Sequence, residues 1–373
     1  MKITFISPFF YPVMGGAENH IYYLAQELLK QGHEVEVFTS DLDRKSRISQ
    51  KEEFYHGIRI KRFRAWFRFG DFGSFFPGVF KAVRNSDSDI FHFHIYRHPF
   101  NMAAFLVKKP CLLTPHYPNY PKELRKLHIR WLLALFDFFL GKKVLRRFKK
   151  ILTITEVESQ WLKSKFKIPE EKIALLPNGI PKNYLKRRNP AQFKTKFNLN
   201  NPMALCLSRL HKSKGFDQVV KIASEFPNIH FVLAGVDGGF KRELEALAKA
   251  LGLSNLIFTG EISEEEKLQA FSAADIFIHP SHYEGFGIVV LEAFSQETAV
   301  LTSNQGGLPW VVGDAGLTFQ DYNLEDLKEK ISLLFSNNKL RQELSKKGRL
   351  RVEQFTWEEL GKRLEGVYKE VIS

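Results

Sequence analysis

Two cations five positions apart, Arg209 and Lys214, stand in the stretch Leu207-Ser208-Arg209-Leu210-His211-Lys212-Ser213-Lys214-Gly215. A guanidinium grips phosphate through two parallel hydrogen bonds and an ammonium acts as a point charge, so the pair can clamp a diphosphate at a helix start. A solvated basic loop is the other reading of the same residues. Further along, His279-Pro280-Ser281-His282-Tyr283-Glu284-Gly285-Phe286-Gly287 leads to Glu292. If one helix covered both carboxylates they would lie ~12 Å apart, too far to hold one atom but able to hold two parts of an extended ligand. Gly285 and Gly287 between them suit a phosphate at a helix N-terminus.

Three other places carry chemistry less specifically. Gly15-Gly16 precedes a helical stretch, where backbone amides favour an anion, although a plain tight turn has the same signature. It is no dinucleotide fingerprint, because no G-x-G-x-x-G occurs. Ala234-Gly235-Val236-Asp237-Gly238-Gly239 is a second glycine-rich loop of the kind that accepts a nucleotide. His92 and His94 fall on one side of a strand as two metal ligands can, but a third partner is not assignable and lining or core histidines are the preferred reading, so no metal is expected.

The elements that must hold these residues alternate between strand and helix. Strand-like runs occupy Lys2–Ser7, His33–Ser40, Ile58–Phe63, Asp89–His94, Pro110–Thr114, Lys150–Thr155 and Lys172–Leu176. Residues 177–202, with two Pro/Gly clusters around Lys186-Arg187-Arg188, read as a linker. The alternation then resumes with Ala204–Ser208, Ile229–Ala234, Leu256–Thr259, Asp275–His279 and Ala299–Thr302. Such order predicts α/β architecture: two doubly wound, Rossmann-like domains facing a central cleft, with chemistry in the loops after strands.

Composition narrows the class. The chain of 373 residues is 44% hydrophobic and 26% charged, ordinary globular usage that excludes disordered and fibrous proteins. The most apolar run, Trp131 to Leu140, contains Asp137 and is well short of the ~20 residues of a membrane span. The start, Met1-Lys2 followed by ITFIS, lacks a signal-peptide pattern, and two cysteines, Cys111 and Cys206, supply neither a disulfide framework nor a metal site. A reducing, cytoplasmic setting is expected. Net charge is +14, yet residues 1–180 carry 30 basic and 17 acidic side chains against 25 and 24 in the rest. The first half either faces something anionic or is kept soluble by its charge. No nucleic-acid motif is present, so nucleic acid is not an expected partner.

Taken together, these motifs resemble the retaining glycosyltransferases of family 4, which have the two-domain GT-B fold. The matches are Gly15-Gly16, Asp89-x-x-His92-x-His94, Thr114-Pro115-His116, Asn178-Gly179, Arg209…Lys214-Gly215, Glu284-x7-Glu292 and Gly306-Gly307-Leu308-Pro309, in order along nearly the whole chain. The resemblance implies an acceptor-binding domain over 1–178, completed by the C-terminal helix 356–373, and a nucleotide-sugar-binding domain over 179–355. It implies a UDP-, GDP- or ADP-linked sugar as donor and a glycan or lipid-linked acceptor, with no cofactor. Arg209 and Lys214 would hold the diphosphate, Glu284 the sugar hydroxyls and Glu292 the ribose. Gly15, Gly16, Gly235, Asp237, Gly285, Phe286 and Gly287 would line the donor, and His116 would lie at the reacting sugar. Three positions depart from the family: Trp310 stands where Glu is usual, and Glu297 and Ser208 where glycine is usual. The alternative is a weakened or non-catalytic GT-B protein that binds polyanions or carbohydrate through its basic half.

The charge asymmetry also predicts contact with an anionic membrane surface, at the inner face of the plasma membrane. The first candidate is Arg59 to Phe80, where Arg59, Lys61, Arg62, Arg64 and Arg68 interleave with seven aromatic residues. The second is Lys122 to Lys150, apolar at its centre and basic at both flanks. In both, a packed core with a solvated basic face is the competing reading.

Overall fold

In the computed structural model the described residues are 1–373 apart from 14, 44–45, 69–72 and 117–125. The chain divides into two units, Met1–Asn178 with Trp357–Ser373, and Gly179–Thr356. Each is built on a parallel sheet, because short runs apolar on both faces can be buried only between two helical layers.

The second unit has six parallel strands in the order Leu256–Gly260, His230–Ala234, Met203–Leu207, Ile276–His279, Ala299–Ser303, Gly316–Phe319. Met203–Leu207 and Ile276–His279 are buried at every position. The chain turns one way from Met203–Leu207 and later returns on its other side at Ile276–His279. Ligands in such sheets bind at this switch, outside the carboxyl ends of the two strands. The loops that follow these strands carry Arg209, Lys214 and Glu284. Phe216, Val219 and Leu244 pack beneath the sheet's own Ala204, Phe231 and Ile278.

The first unit has eight strands in the order Ile173–Leu175, Lys150–Thr153, Cys111–Thr114, Ile90–His94, Lys2–Ile6, Glu34–Ser40, Ile58–Phe63, Glu52–Tyr55. All neighbours are parallel except the edge pair Glu52–Tyr55 and Ile58–Phe63. The helix Trp357–Ile372 belongs to this unit and packs on the helix Gly16–Lys30, with Trp357 stacked on Tyr23 at 5.3 Å.

One expectation is corrected here and another is narrowed. The stretch 182–199 is no linker: Phe193 and Leu199 are buried, and Gln296 donates to the Tyr184 carbonyl and accepts from the Arg188 amide. Its polar, proline-bounded sequence disguises a turn and a short helix, Ala191–Lys196, of the second unit. The basic and aromatic run from Arg59 is divided: its strand residues are taken up by the fold, whereas Arg64, Trp66, Phe67 and Arg68 are exposed. Arg62 is buried and paired with Glu53, Arg59 and Lys61 pair with Glu36, and Phe76 lies in the core. The cations of this strand meet carboxylates on neighbouring strands, so Arg59, Lys61 and Arg62 are already paired. Phe69 and Phe72 of that run, and Lys122 and Arg125 of the second basic stretch, lie outside the described residues.

Candidate active site

Lys214 and Glu284 come from the two loops at the switch, 70 positions apart in sequence, and form an ion pair. His279, the last residue of its strand, reaches the same Glu284 oxygen at 3.3 Å. Burial alone would raise the Glu284 carboxyl, but Lys214 and His279 outweigh it and hold the group down at about 2. Burial pushes the His279 imidazole below its ordinary value, against the pull of Glu284. The site therefore holds a carboxylate at any physiological pH. Arg209 is exposed, and among the described residues its guanidinium makes no ion pair, leaving a fixed cation at the mouth of the loop.

Glycines allow these loops to meet. Gly215 adopts φ +65°, and a Cβ there would sit 2.1 Å from the Pro280 carbonyl. Gly306 adopts φ +61°, and a Cβ would sit 2.0 Å from the Glu284 carbonyl, to which the Gly307 amide donates at 2.9 Å. Only a glycine tolerates both conditions at once. The loops are strapped again where the His282 amide donates to the Ser213 carbonyl at 3.0 Å, and Gln218 donates to Pro280 and Asp321.

Glu284 lies ahead of the helix, which runs over Ile288–Ser295 and carries Glu292. Glycine at 285 and 287 keeps the intervening chain out of helical register. Glu292 is buried and pairs at 2.7 Å with Lys267, whose ammonium also reaches Glu264. The helix Glu264–Ala273 that supplies Lys267 is fixed by a capping box between Ser263 and Glu266. The second oxygen of Glu292 is buried without a partner among the described residues, an acceptor available to a hydroxyl.

The glycine-rich loop 235–239 lies beside the Arg209 loop, with the Leu210 amide donating to the Val236 carbonyl and the Gly238 amide to the Leu210 carbonyl. Gly235 has φ +136° and stands 2.0 Å, by its absent Cβ, from the Ser208 carbonyl, so it is required by the fold itself. The Asp237 carboxylate accepts from the amides of Gly239, Phe240 and Lys241, which occupies it as a local cap. The ring of Phe286 is buried against Trp310 and Phe355. Trp310, at one departure from the family, completes this aromatic cluster.

In the first unit Gly16 opens its helix, exposed, with no side-chain cap among the described residues and open space where a Cβ would stand. His116 takes φ +58° and lies 3.0 Å from His94 through ring nitrogens. His92 bonds Tyr368 and Thr114, and His20 bonds Asn178. These four rings form one cluster, with His20 5.3 Å from His116 and His92 4.4 Å from His94. Burial holds all four neutral, with His20 down at about 4. Among the described residues no cluster suits a metal ion. The sequence reading missed Lys267 and His279, although His279 stands five positions before Glu284 in the same motif.

A parallel sheet in 3-2-1-4-5-6 order, with two cations and a glycine-framed carboxylate at its switch, defines a Rossmann-like unit, a fold that takes its ligands at that switch. Residues 14–184 match the family model described as Glycosyltransferase Family 4, and residues 187–351 the one described as Glycosyl transferases group 1. Between them the two models span nearly the whole chain, and the protein is a GT-B glycosyltransferase of family 4. Among its relatives, a phosphatidylinositol N-acetylglucosaminyltransferase chain of Arabidopsis thaliana is 24% identical over 382 residues, 99% of this chain and 81% of the relative. Sucrose-phosphate synthase of Thermosynechococcus elongatus shares the fold with a TM-score of 0.78 at 21% identity, covering 99% of this chain and 98% of that one. HepE of Anabaena, solved with UDP and glucose, has a TM-score of 0.76 at 19% identity, covering 99% and 100%.

Proposed function

We propose that the protein is a retaining hexosyltransferase that moves a sugar from a UDP-, GDP- or ADP-linked donor to a hydroxyl of a glycan or lipid-linked acceptor, working as a peripheral enzyme at the cytoplasmic face of a membrane. The observation that carries the reading is the meeting of Lys214, Glu284 and His279 at the sheet switch, beside the exposed Arg209. As the bond from the anomeric carbon to the phosphate oxygen breaks, its electron pair stays on the phosphate. Arg209 and Lys214 neutralise that charge from fixed positions, and such preorganised charge is usually the main source of rate at a site of this kind. The acceptor oxygen bonds to the anomeric carbon on the face the phosphate leaves, and its proton passes to a leaving-phosphate oxygen. Glu284, ionised throughout, orients sugar hydroxyls, and the free oxygen of Glu292 accepts from the ribose. His116 is neutral, suited to a hydroxyl rather than a phosphate. The neutralising charge in this reading comes from side chains and not from a metal or cofactor. The Arabidopsis relative is by name a transferase to phosphatidylinositol, which supports a lipid acceptor here.

The test is proton NMR of purified protein incubated with each sugar nucleotide, following the first-formed anomer of the released sugar. Release of the donor's own anomer is expected. Release of the opposite anomer overturns retention, and no release above a buffer blank favours a non-catalytic binder.

A further inference from the structure

The helix Leu127–Phe136 buries none of its ten residues. Leu127, Trp131 and Leu132 on it, and Phe138 and Phe139 just beyond, are 63–81% exposed. A surface helix of a water-soluble protein normally hides its apolar stripe against a core. Among the described residues this one is anchored at its C-terminal end. Asp137 is buried and receives Arg97, Lys165 and the Tyr96 hydroxyl. At Gly141 a Cβ would come within 2.5 Å of the Tyr96 oxygen and 2.8 Å of the Phe166 ring, so the chain is clamped there while the apolar side chains project outward.

The charge around this arm has one sign. Asp137 is the sole acidic residue between positions 126 and 155, and it is neutralised internally. Lys126, Arg130, Lys142, Lys143 and Arg146 make no ion pair among the described residues. No helix of the described residues is long and apolar enough to cross a membrane. We infer that the arm of residues 126–146 lies on an anionic lipid bilayer, with Trp131, Leu132, Phe138 and Phe139 in the interface and the five cations at lipid phosphates. A second copy of the chain is the poorer occupant: protein interfaces exclude lysine from their cores, and a two-fold contact here would set cations against cations. The inference rests on the peripheral enzyme proposed above and names the surface that does the docking.

Vesicle co-sedimentation tests it, with phosphatidylcholine alone and with phosphatidylcholine mixed with phosphatidylglycerol, at low and high salt. The wild type should bind the mixed vesicles at low salt, weakly at high salt, and the neutral ones poorly. Phe138→Ser with Phe139→Ser, and separately Lys142→Glu with Lys143→Glu, should each lower binding at least roughly tenfold. These positions are exposed, so the variants should keep wild-type donor hydrolysis, measured on the same preparations. Wild-type protein that hydrolyses donor yet ignores mixed vesicles at low salt overturns the inference and leaves the transferase reading standing. Vesicle binding without donor hydrolysis has the opposite consequence. Unchanged binding in both double variants, or a dimer in sedimentation equilibrium that the phenylalanine variant dissociates, also overturns it.

Discussion

Lys214 does two things in the proposed site: it supplies a cation for the donor phosphate, and it is the strongest influence keeping Glu284 ionised against burial. Lys214→Ala should therefore cost about 10²-fold in transfer rate, the scale of losing one charge-stabilising group. In the same variant the Glu284 carboxyl should rise well above about 2, because burial is then opposed by His279 alone. Carbon-detected NMR titration of the labelled glutamates reads that shift, and an unmoved Glu284 would show that the pairing is not what holds it. The sign for stability follows: a carboxyl depressed when folded stabilises above its unfolded value near 4.5, and that gain fades as pH falls toward 2. Glu292 makes a different prediction. Removing it leaves the largely buried Lys267 with Glu264 as its remaining partner, so Glu292→Ala should lose about 3 kcal/mol of stability as well as nucleotide affinity. Urea denaturation and calorimetry with nucleoside diphosphate separate the two, and full stability would argue against the structural pairing. Arg209, Lys214 and Glu284 were legible in sequence because each follows a strand at close range. Lys267 was not, since it reaches Glu292 across 25 positions from another helix, a contact that no local spacing encodes.

At the scale of elements, the glycine contacts carry the geometry. Gly306→Ala forces a Cβ against the Glu284 carbonyl at an unfavourable φ. Displacing that loop by about 1 Å should cost around 10²-fold in kcat/KM, while the circular dichroism stays native. Unchanged kinetics would mean that the loop position is not set there. Glu297 is the contrasting case. It adopts φ +61° between the helix Ile288–Ser295 and the strand Ala299–Ser303, a conformation that a glycine takes without strain. That turn precedes its strand, at the end of the sheet away from the site, so the departure bears on stability and not on sugar choice. Glu297→Gly should gain about 1 kcal/mol without changing turnover, as thermal melts and rate measurements would read. Parallel strands buried on both faces announced themselves as apolar runs. Glu52–Tyr55 did not, being a charged antiparallel edge, nor did Gly316–Phe319, which is only four residues long and opens on glycine. Proline and basic residues around the short helix Ala191–Lys196 imitated a linker for the same reason: a brief element has too few turns to show a period.

Across the whole molecule, titration bears most heavily on the first unit, where four buried histidines gather, whereas in the second burial lowers His279. His20, His92, His94 and His116 are held neutral in the first unit, joining strand, helix and C-terminal helix. Their folded values lie below the ordinary 6.5, so the unfolded chain binds more protons at mildly acid pH. Stability of this unit should fall as pH drops from about 6.5 toward 4, by up to about 1.4 kcal/mol per histidine per pH unit. Denaturant melts at pH 7 and 5.5 measure it, and pH-independent midpoints would contradict the neutral cluster. The alternation of strands and helices made both sheets legible, but the side-by-side placement of Met203–Leu207 and Ile276–His279 is a matter of topology that spacing does not state. That placement brings residues 70 apart into the proposed donor site, and the most direct test is thermal melting of the wild type and of Arg209→Ala with Lys214→Ala, each with saturating UDP-, GDP- and ADP-sugars. A ligand at about 100 times its dissociation constant adds about 2.7 kcal/mol to the native state. One nucleotide class should raise the wild-type melting temperature and leave the double variant unmoved; an equal rise in both proteins, or none in either with any sugar nucleotide, would contradict the site.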